Sequence, residues 1–457
     1  MSDAISDYSR RKFIGACCAA VGSTGLLSAL SQLRLVGAVA GANSDVTDYK
    51  ALVCLFLAGG NDANNLLVPN DSAGYAAYAA ARTTLALPYA SLLGISPLTS
   101  DGRSFGLHPS LSGLQELFVA KKAALLANVG TLVQPTTQAE YQASSVPLPP
   151  QLFSHNDQQV QWQSSVPDRP FTSGWGGRMA DLINAFNENP RLSMSISMDG
   201  QNSFQVGKSV AQFSVNRTGV AGLTGTAGAA GEARMGALRS LFEQDSDGLF
   251  ETAFGGITTS AIDTSALLAE ALEGVPEPTV VFPAGRLGDQ LKMISRLIQL
   301  GPGFGLKRQV FFARLGGWDL HDNQVTAHAT LLDEVSQGMK AFYDATAVLG
   351  LADKVTTFTA SDFGRTFNTN GDGSDHGWGS HHLVVGGAVK GGDIYGQVPV
   401  LEIGGPNDTG RGRWIPTTSV DEYAATLACW FGVSPSDLPL VLPNIGRFAT
   451  TDLGFMS

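Results

Sequence analysis

The sequence predicts an α/β fold: a doubly wound, mostly parallel sheet. Apolar runs of strand length alternate with amphipathic helical patterns, which is the signature of that class. Several of these runs end in a glycine pair or tight turn followed by a carboxylate or imidazole, as expected where a polar site lies along the C-terminal edge of a sheet. At 457 residues the chain is also long enough to bury the core that such a sheet needs.

In order, residues 51–58 (ALVCLFLA) form a continuous apolar run closed by Gly59-Gly60 and predict a buried strand. Helical patterns follow at 74–82 (GYAAYAAAR) and 107–122 (LHPSLSGLQELFVAKK), then a strand at 123–129 (AALLANV). Residues 131–175 are polar and contain Pro135, Pro147, Pro149 and Pro150, a long functional loop with a helix start inside it. A helix is predicted from about Gly177, and LSMSISM (192–198) reads as the next strand. Residues 215–275, rich in Gly, Ala, Thr and Ser with helical patches, read as a helical cap or insertion within the domain. Leu287, Leu291, Ile294, Leu297 and Ile298 recur at helical spacing, and Gly301 ends that helix. Strands at 310–315 (VFFARL), 354–360 (KVTTFTA) and 382–389 (HLVVGGAV) alternate with helices at 330–350 and 421–432.

The N-terminus reads differently. Arg10-Arg11, followed by Phe13-Ile14, a weakly apolar run and Ala38-Val39-Ala40, resembles a twin-arginine export signal over residues 1–40, with 41–457 as the mature domain. The run is broken by glycines and serines and is short for a membrane span, so no stable span is expected after cleavage. The translocase is thus a transient partner, and the mature protein is periplasmic or otherwise exported. Formal net charge is −11, and it becomes about −13 once four basic and two acidic groups leave with the signal. That balance argues against nucleic acid as a partner. Cleavage also removes Cys17 and Cys18, leaving Cys54 and Cys429, whose apolar settings predict buried free thiols.

The chemistry concentrates in a few stretches. Asp319 and His321 in LGGWDLHDNQ are two residues apart, so on an extended segment both point the same way. Asp62 follows the first strand in GGND, Asp362 follows another in TASDFGRT, and SDHGWGSHH adds His376, His381 and His382. Asp62, Asp319, His321, Asp362, His376 and His381 make a mixed oxygen and nitrogen set that suits a divalent ion: Zn, Mn, Mg or Ca. Such an ion polarises a phosphoryl or sulfuryl oxygen or activates water. The plainer use of Asp62 and Asp362 is to cap helices and brace turns. Ser154, three residues before Asp157, has capping-box spacing; its alternative role is a nucleophile at a positive helix terminus. Arg365 is a candidate fork for an anionic ester, or the partner of a neighbouring carboxylate. His328, a turn into the next helix, is expected at the surface or behind the site.

The stretches GGNDANNLLVP, FGLHPSL, SHNDQQVQW, GWGGR, LKRQVFFARLGGWDLHDNQ, SDFGRT and DHGWGSHHLVVGGAVKGGDIYG occur in the order found in the domain of unknown function family fifteen-oh-one, which the chain resembles over nearly its whole mature length. That family resembles in turn the alkaline phosphatase and sulfatase superfamily. The resemblance implies an alkaline phosphatase-like fold, ions at the strand ends, and transfer of phosphoryl or sulfuryl groups. By it, Asp62 matches the first-strand ligand, Asp319 and His321 the Asp/His pair, Asp362 the late-strand ligand, and His376 or His381 the last histidine, with the nucleophile near Ser154. The sequence departs from that pattern at Phe363, where a histidine is expected, and it lacks the cysteine signature of standard sulfatases. Two functions follow as expectations: an exported metal-dependent hydrolase of phosphate or sulfate esters, or a non-catalytic binding or envelope-assembly protein on the same fold with a decayed metal site.

Overall fold

Strand β1 (Lys50–Ala58) lies at the middle of the sheet and is buried on both faces, as its unbroken apolar run requires. The computed structural model describes residues 49–457, apart from 100, 188–191, 221–222, 224, 227 and 243–247. The expected export signal, with Cys17 and Cys18, lies outside the described residues. The described residues fall in one compact unit.

The other strands of the main sheet are β2 (Ala123–Gly130), β3 (Ser195–Ser197), β4 (Phe213–Ser214), β5 (Arg308–Gly316), β6 (Val355–Ser361), β7 (Ser380–Gly386), β8 (Ile394–Tyr395) and β9 (Thr418–Ser419). Their order is β8-β2-β7-β6-β1-β5-β3-β4, with β9 also on β2. β1 runs parallel to β5 and β6, and β3 parallel to β5 and β4. β7 is antiparallel to both its neighbours, so the sheet is α/β and mostly parallel. Register positions the site. Ala58 pairs with Gly316 and Leu57 with Ser361, which brings the C-terminal ends of β1, β5 and β6 level on one edge.

Among the described residues, the α-helices of eight residues or more are α1 (Ser72–Arg82), α2 (Ser112–Val119), α3 (His155–Ser164), α4 (Trp175–Ile183), α5 (Gly228–Phe242), α6 (Leu249–Glu273), α7 (Arg286–Leu300), α8 (Gln324–Val348) and α9 (Val420–Phe431). α7 buries Leu287, Leu291, Ile294, Leu297 and Ile298 and packs on β5 and α8. Each such side chain contributes about 1.5–3 kcal/mol when fully buried. α5 and α6 fall in the Gly/Ala-rich stretch. Two elements differ from the sequence reading. Only Ser195–Ser197 of LSMSISM pairs as a strand, and the helix after Asp319 starts at Gln324, where Asn323 adopts a left-handed φ of 45°. Cys54 is buried and Cys429 half-buried, and both are free thiols. No helix among the described residues is long and apolar enough to cross a membrane.

Candidate metal centre

The level edge of β1, β5 and β6 carries three turns that lie against one another. Gly59 has φ +125°, and a Cβ there would stand 2.4 Å from the backbone nitrogen of Asp319. A side chain at this position would push the Asp319 turn away, which is why the glycine after β1 matters. Asp362 follows β6 directly and accepts from Gly59 N at 3.1 Å. The hairpin formed by Arg365–Thr369 and Ser374–His376 then brings His376 over the same edge. α3 arrives from the long polar loop with His155 as its first residue.

These segments converge. His155, Asp319 and His376 each offer a ligand atom within 4.8 Å of the others. His155 Nε2 lies 3.4 Å from Asp319 Oδ2. Asp319 Oδ1 lies 3.2 Å from His376 Nε2 and 2.9 Å from His321 Nε2. The His321 and His376 Nε2 atoms are 3.1 Å apart. Zinc bonds of 2.0–2.1 Å to nitrogen at tetrahedral angles place ligand atoms about 3.3 Å apart, close to the spacings among Asp319 Oδ1, His321 Nε2 and His376 Nε2.

The outer atoms of each ring fix which nitrogen faces inward. His155 Nδ1 lies 2.6 Å from the Asp362 carboxylate, so Nδ1–H donates to it and Nε2 keeps its lone pair. His376 Nδ1 donates to the Phe153 carbonyl at 2.7 Å, which likewise leaves Nε2 free to accept. His321 Nδ1 is 3.4 Å from Asp375. His155 Nε2 is buried and has no hydrogen-bond partner. An orphaned imidazole nitrogen aimed at a carboxylate and two further imidazoles is the donor set a metal ion would satisfy, so the residues fit one.

The pKa values of the two inner histidines shift in opposite directions. The hydrogen bond to Asp362 raises the His155 pKa despite its partial burial. Burial lowers that of His376, so the neutral, ligating form is favoured there. Burial pushes the Asp319 carboxyl up, but the Arg365 hydrogen bond and charge outweigh it and keep the group ionised to lower pH. Phe363 packs against both inner rings, 4.8 Å from His155 and 4.7 Å from His376 between centroids. Phe363, standing where the sequence reading expects a histidine, is thus an apolar wall beside the two rings.

Several expected site residues are placed elsewhere. Asp62 is buried in an ion pair with Arg82 and accepts from Gln324 Nε2 at 2.5 Å and from Asn64 N at 3.2 Å. The Arg82 guanidinium, the Gln324 amide and the Asn64 N–H thus take both oxygens of Asp62, which does not join the ligand set of His155, Asp319 and His376. Asp362 has its oxygens taken by Gly59, His155 and Gln159 Nε2, the last at 2.9 Å, so it acts through His155. His381 is fully buried in β7, accepts from Asn128 N at 3.0 Å, and has its pKa lowered by burial to about 4, with no contact to the cluster. Arg365 is buried and bonds Asp319 Oδ1 at 2.8 Å, the Gly59 carbonyl at 3.2 Å and the Ser374 carbonyl, which leaves it a brace for Asp319 and not an exposed anion clamp. Ser154 is the N-cap residue of α3 but makes no bond to the helix backbone; its hydroxyl donates to Asp157 at 2.6 Å. His328 is buried behind the site, its Nε2 3.0 Å from Asn61 Oδ1.

Sequence reasoning missed His155 as a candidate site residue and Arg82 as the buried structural partner of Asp62. The signal for His155 is present in SHND, where Ser154 reads as a cap or as a nucleophile while the histidine beside it draws no role.

No curated protein matches the sequence. Among solved structures the chain is similar to a sulfatase from Pseudoalteromonas sp. (TM-score 0.36, 11% identity, covering 89% of this chain and 72% of that one). It is also similar to the lipoteichoic acid synthase LtaP from Listeria monocytogenes (TM-score 0.36, 9% identity, 88% and 76%) and to a phosphonate monoester hydrolase from Silicibacter pomeroyi (TM-score 0.35, 9% identity, 86% and 77%). Likenesses at this level assign no chemistry to the present chain. The family described as "Protein of unknown function (DUF1501)" matches residues 49–410, most of the chain, and the chain belongs to that family.

Proposed function

We propose that the protein is an exported hydrolase of phosphate or sulfate esters that works with one divalent ion held by His155, Asp319 and His376, with His321 as the fourth arm. The observation that carries this reading is the convergence of three imidazole Nε2 atoms on Asp319, with the one on His155 buried and unpartnered. A donor set of three nitrogens and one carboxylate favours zinc or a similar nitrogen-accepting ion over calcium or magnesium. When bound, the ion supplies Lewis-acid polarisation of an ester oxygen.

The chain's own groups do the rest. Asp362 and the Phe153 carbonyl hold the two inner histidines in the tautomer that faces inward. Arg365 fixes the Asp319 carboxylate, and Phe363 keeps water from one side of the rings. Ser154, adjacent to His155, is the proposed attacking hydroxyl. Its Oγ forms the new bond to phosphorus or sulfur as the bond to the leaving alcohol breaks. The Ser154 proton passes to Asp157, which already accepts it at 2.6 Å, and from there to the departing alkoxide. A water then displaces the Ser154 oxygen, releasing phosphate or sulfate and returning a proton to the serine.

Elemental analysis of the purified mature protein, with an assay on 4-nitrophenyl phosphate and 4-nitrophenyl sulfate under added Zn, Mn, Mg or Ca, tests the reading. One equivalent of metal and turnover of either ester is expected, and both are lost in Asp319→Asn and His376→Ala. Absence of metal and of turnover under all four ions rejects it.

The second reading is a binding or envelope-assembly protein with a decayed site. It is favoured by the guanidinium groups of Arg82 and Arg365, which already neutralise two of the expected ligand carboxylates. Metal binding without turnover of any ester would decide for it.

A further inference from the structure

We infer that a cavity of about 540 Å³ beside the candidate metal centre binds a neutral polyhydroxylated group such as a sugar ring. On the ester-hydrolase reading, on which this link to turnover rests, that group is the alcohol half of the substrate. The size falls within the roughly 300–1,000 Å³ of small-molecule sites.

The cavity and the metal centre share a helix. His155 opens α3 and faces the cluster, while Asn156, Gln159, Val160 and Gln163 line the cavity at positions one helical face apart. Gln159 joins the two directly, because its Nε2 donates to the same Asp362 carboxylate that holds His155. Across from α3, the loop after β3 contributes Gln201, Asn202 and Ser203. Phe312 and Arg314, which alternate on one face of β5, complete the lining with Asp199.

The chemistry of that lining selects the ligand. Carboxamides offer a donor and an acceptor in one plane, which matches hydroxyl groups that both give and take hydrogen bonds. Two of the amides are held in place by one end. Gln163 Oε1 accepts from Phe204 N at 2.9 Å and leaves its NH2 as donor. Gln159 is tied by its NH2 and leaves its carbonyl oxygen as acceptor. Asn202 is fixed at both ends, its Oδ1 accepting from Gln205 N at 2.9 Å and its Nδ2 donating to Gln205 Oε1 at 2.9 Å and Ser197 Oγ at 3.2 Å. Such anchoring reduces the ordering cost of binding. Val160 and Phe312 add an apolar strip suited to the C–H face of a ring.

Charge argues against a polyanion in this cavity. The lining contains no lysine or histidine, and its one cation, Arg314, lies 3.5 Å from Asp199, whose other oxygen pairs with Arg286 at 2.6 Å. A phosphate-rich ligand would find one half-compensated cation, and a hydrocarbon would strand the amides. The ionic part of an ester belongs at the metal centre and its hydroxyl-bearing part in the amide cavity.

The test is titration of the purified mature protein with methyl α-D-glucopyranoside, methyl β-D-galactopyranoside and methyl α-D-mannopyranoside, read by calorimetry and saturation-transfer NMR. Turnover of glucose 6-phosphate and glucose 6-sulfate is compared with that of the 4-nitrophenyl esters, which separates binding of a free saccharide from binding of a sugar ester. At least one glycoside is expected to bind with a Kd on the order of millimolar. Asn156→Ala and Gln201→Ala, both at exposed positions, should each weaken it about tenfold, the loss of roughly one hydrogen bond, with melting temperature and metal content unchanged. Saccharide binding without turnover of any ester upholds the cavity assignment and removes hydrolysis. Turnover of the 4-nitrophenyl esters, with no glycoside bound and no preference for the sugar esters, overturns the assignment and leaves hydrolysis standing.

Discussion

Asp362 shows how a residue can serve a site without touching what the site holds. Its carboxylate orients His155 through a 2.6 Å contact, so Asp362→Asn should weaken metal affinity about 10- to 100-fold while the protein stays folded. Competition with a fluorescent zinc chelator measures this, and an unchanged affinity would mean that His155 is not a ligand. Arg82 is the opposite case, a structural cation. Its donors reach Asp62, Asn65 Oδ1 at 3.2 Å, and the Thr366 and Phe367 carbonyls at 3.0 and 3.1 Å, all buried. Arg82→Met leaves a buried carboxylate unpaired and should cost about 3–5 kcal/mol in urea denaturation. Asp319, His321, His376 and Asp362 were legible because each follows a strand or turn in a short polar motif. Arg82 was not. It ends an alanine-rich helix and looks like an ordinary solvated cation, and only the 20-residue return to Asp62 gives it meaning. His155 was obscured for a similar reason, since its partner lies 207 residues away.

At the scale of elements, the sequence pattern held where one period dominated. The apolar run of β1 and the heptad-like stripe of α7 both fold as read. Ambiguity arose where side chains were small and polar, as in LSMSISM, where only three residues pair as a strand. The first turn of α9 carries a further testable feature. Ser419 and Glu422 form a capping box there, while Asp421 between them is buried. Burial raises the Asp421 carboxyl to about 7 against the lowering influence of Ser165 and Arg178, with Glu422 adding to the rise. The folded value lies above the unfolded one, so this group's contribution to stability is complete below about pH 4 and is lost as pH rises through about 7. Melting temperature should therefore fall between pH 5.5 and 8 in the parent and fall less in Asp421→Asn. Parallel slopes in the two proteins would show that another group titrates.

For the molecule as a whole, the fold class was legible and the sheet order was not. Alternating strand and helix patterns specify layers, but nothing local to residues 380–386 announces that this strand runs antiparallel to both neighbours. A bound ion would add a link between separate parts of the chain, because His155, Asp319 and His376 come from a loop helix, a strand end and a hairpin. A ligand that binds only the native state stabilises it by about 4 kcal/mol at a thousandfold excess over its Kd. Removing metal with EDTA should lower the melting temperature and zinc should restore it; indifference to both would place the ion elsewhere or nowhere. The same dispersal would govern where an ion is acquired. A ribosome would have to reach position 376 before a cation met all three of these groups. If the chain leaves the cell already folded, the identity of its metal is decided by cytoplasmic supply, and changing the medium outside should leave its occupant the same.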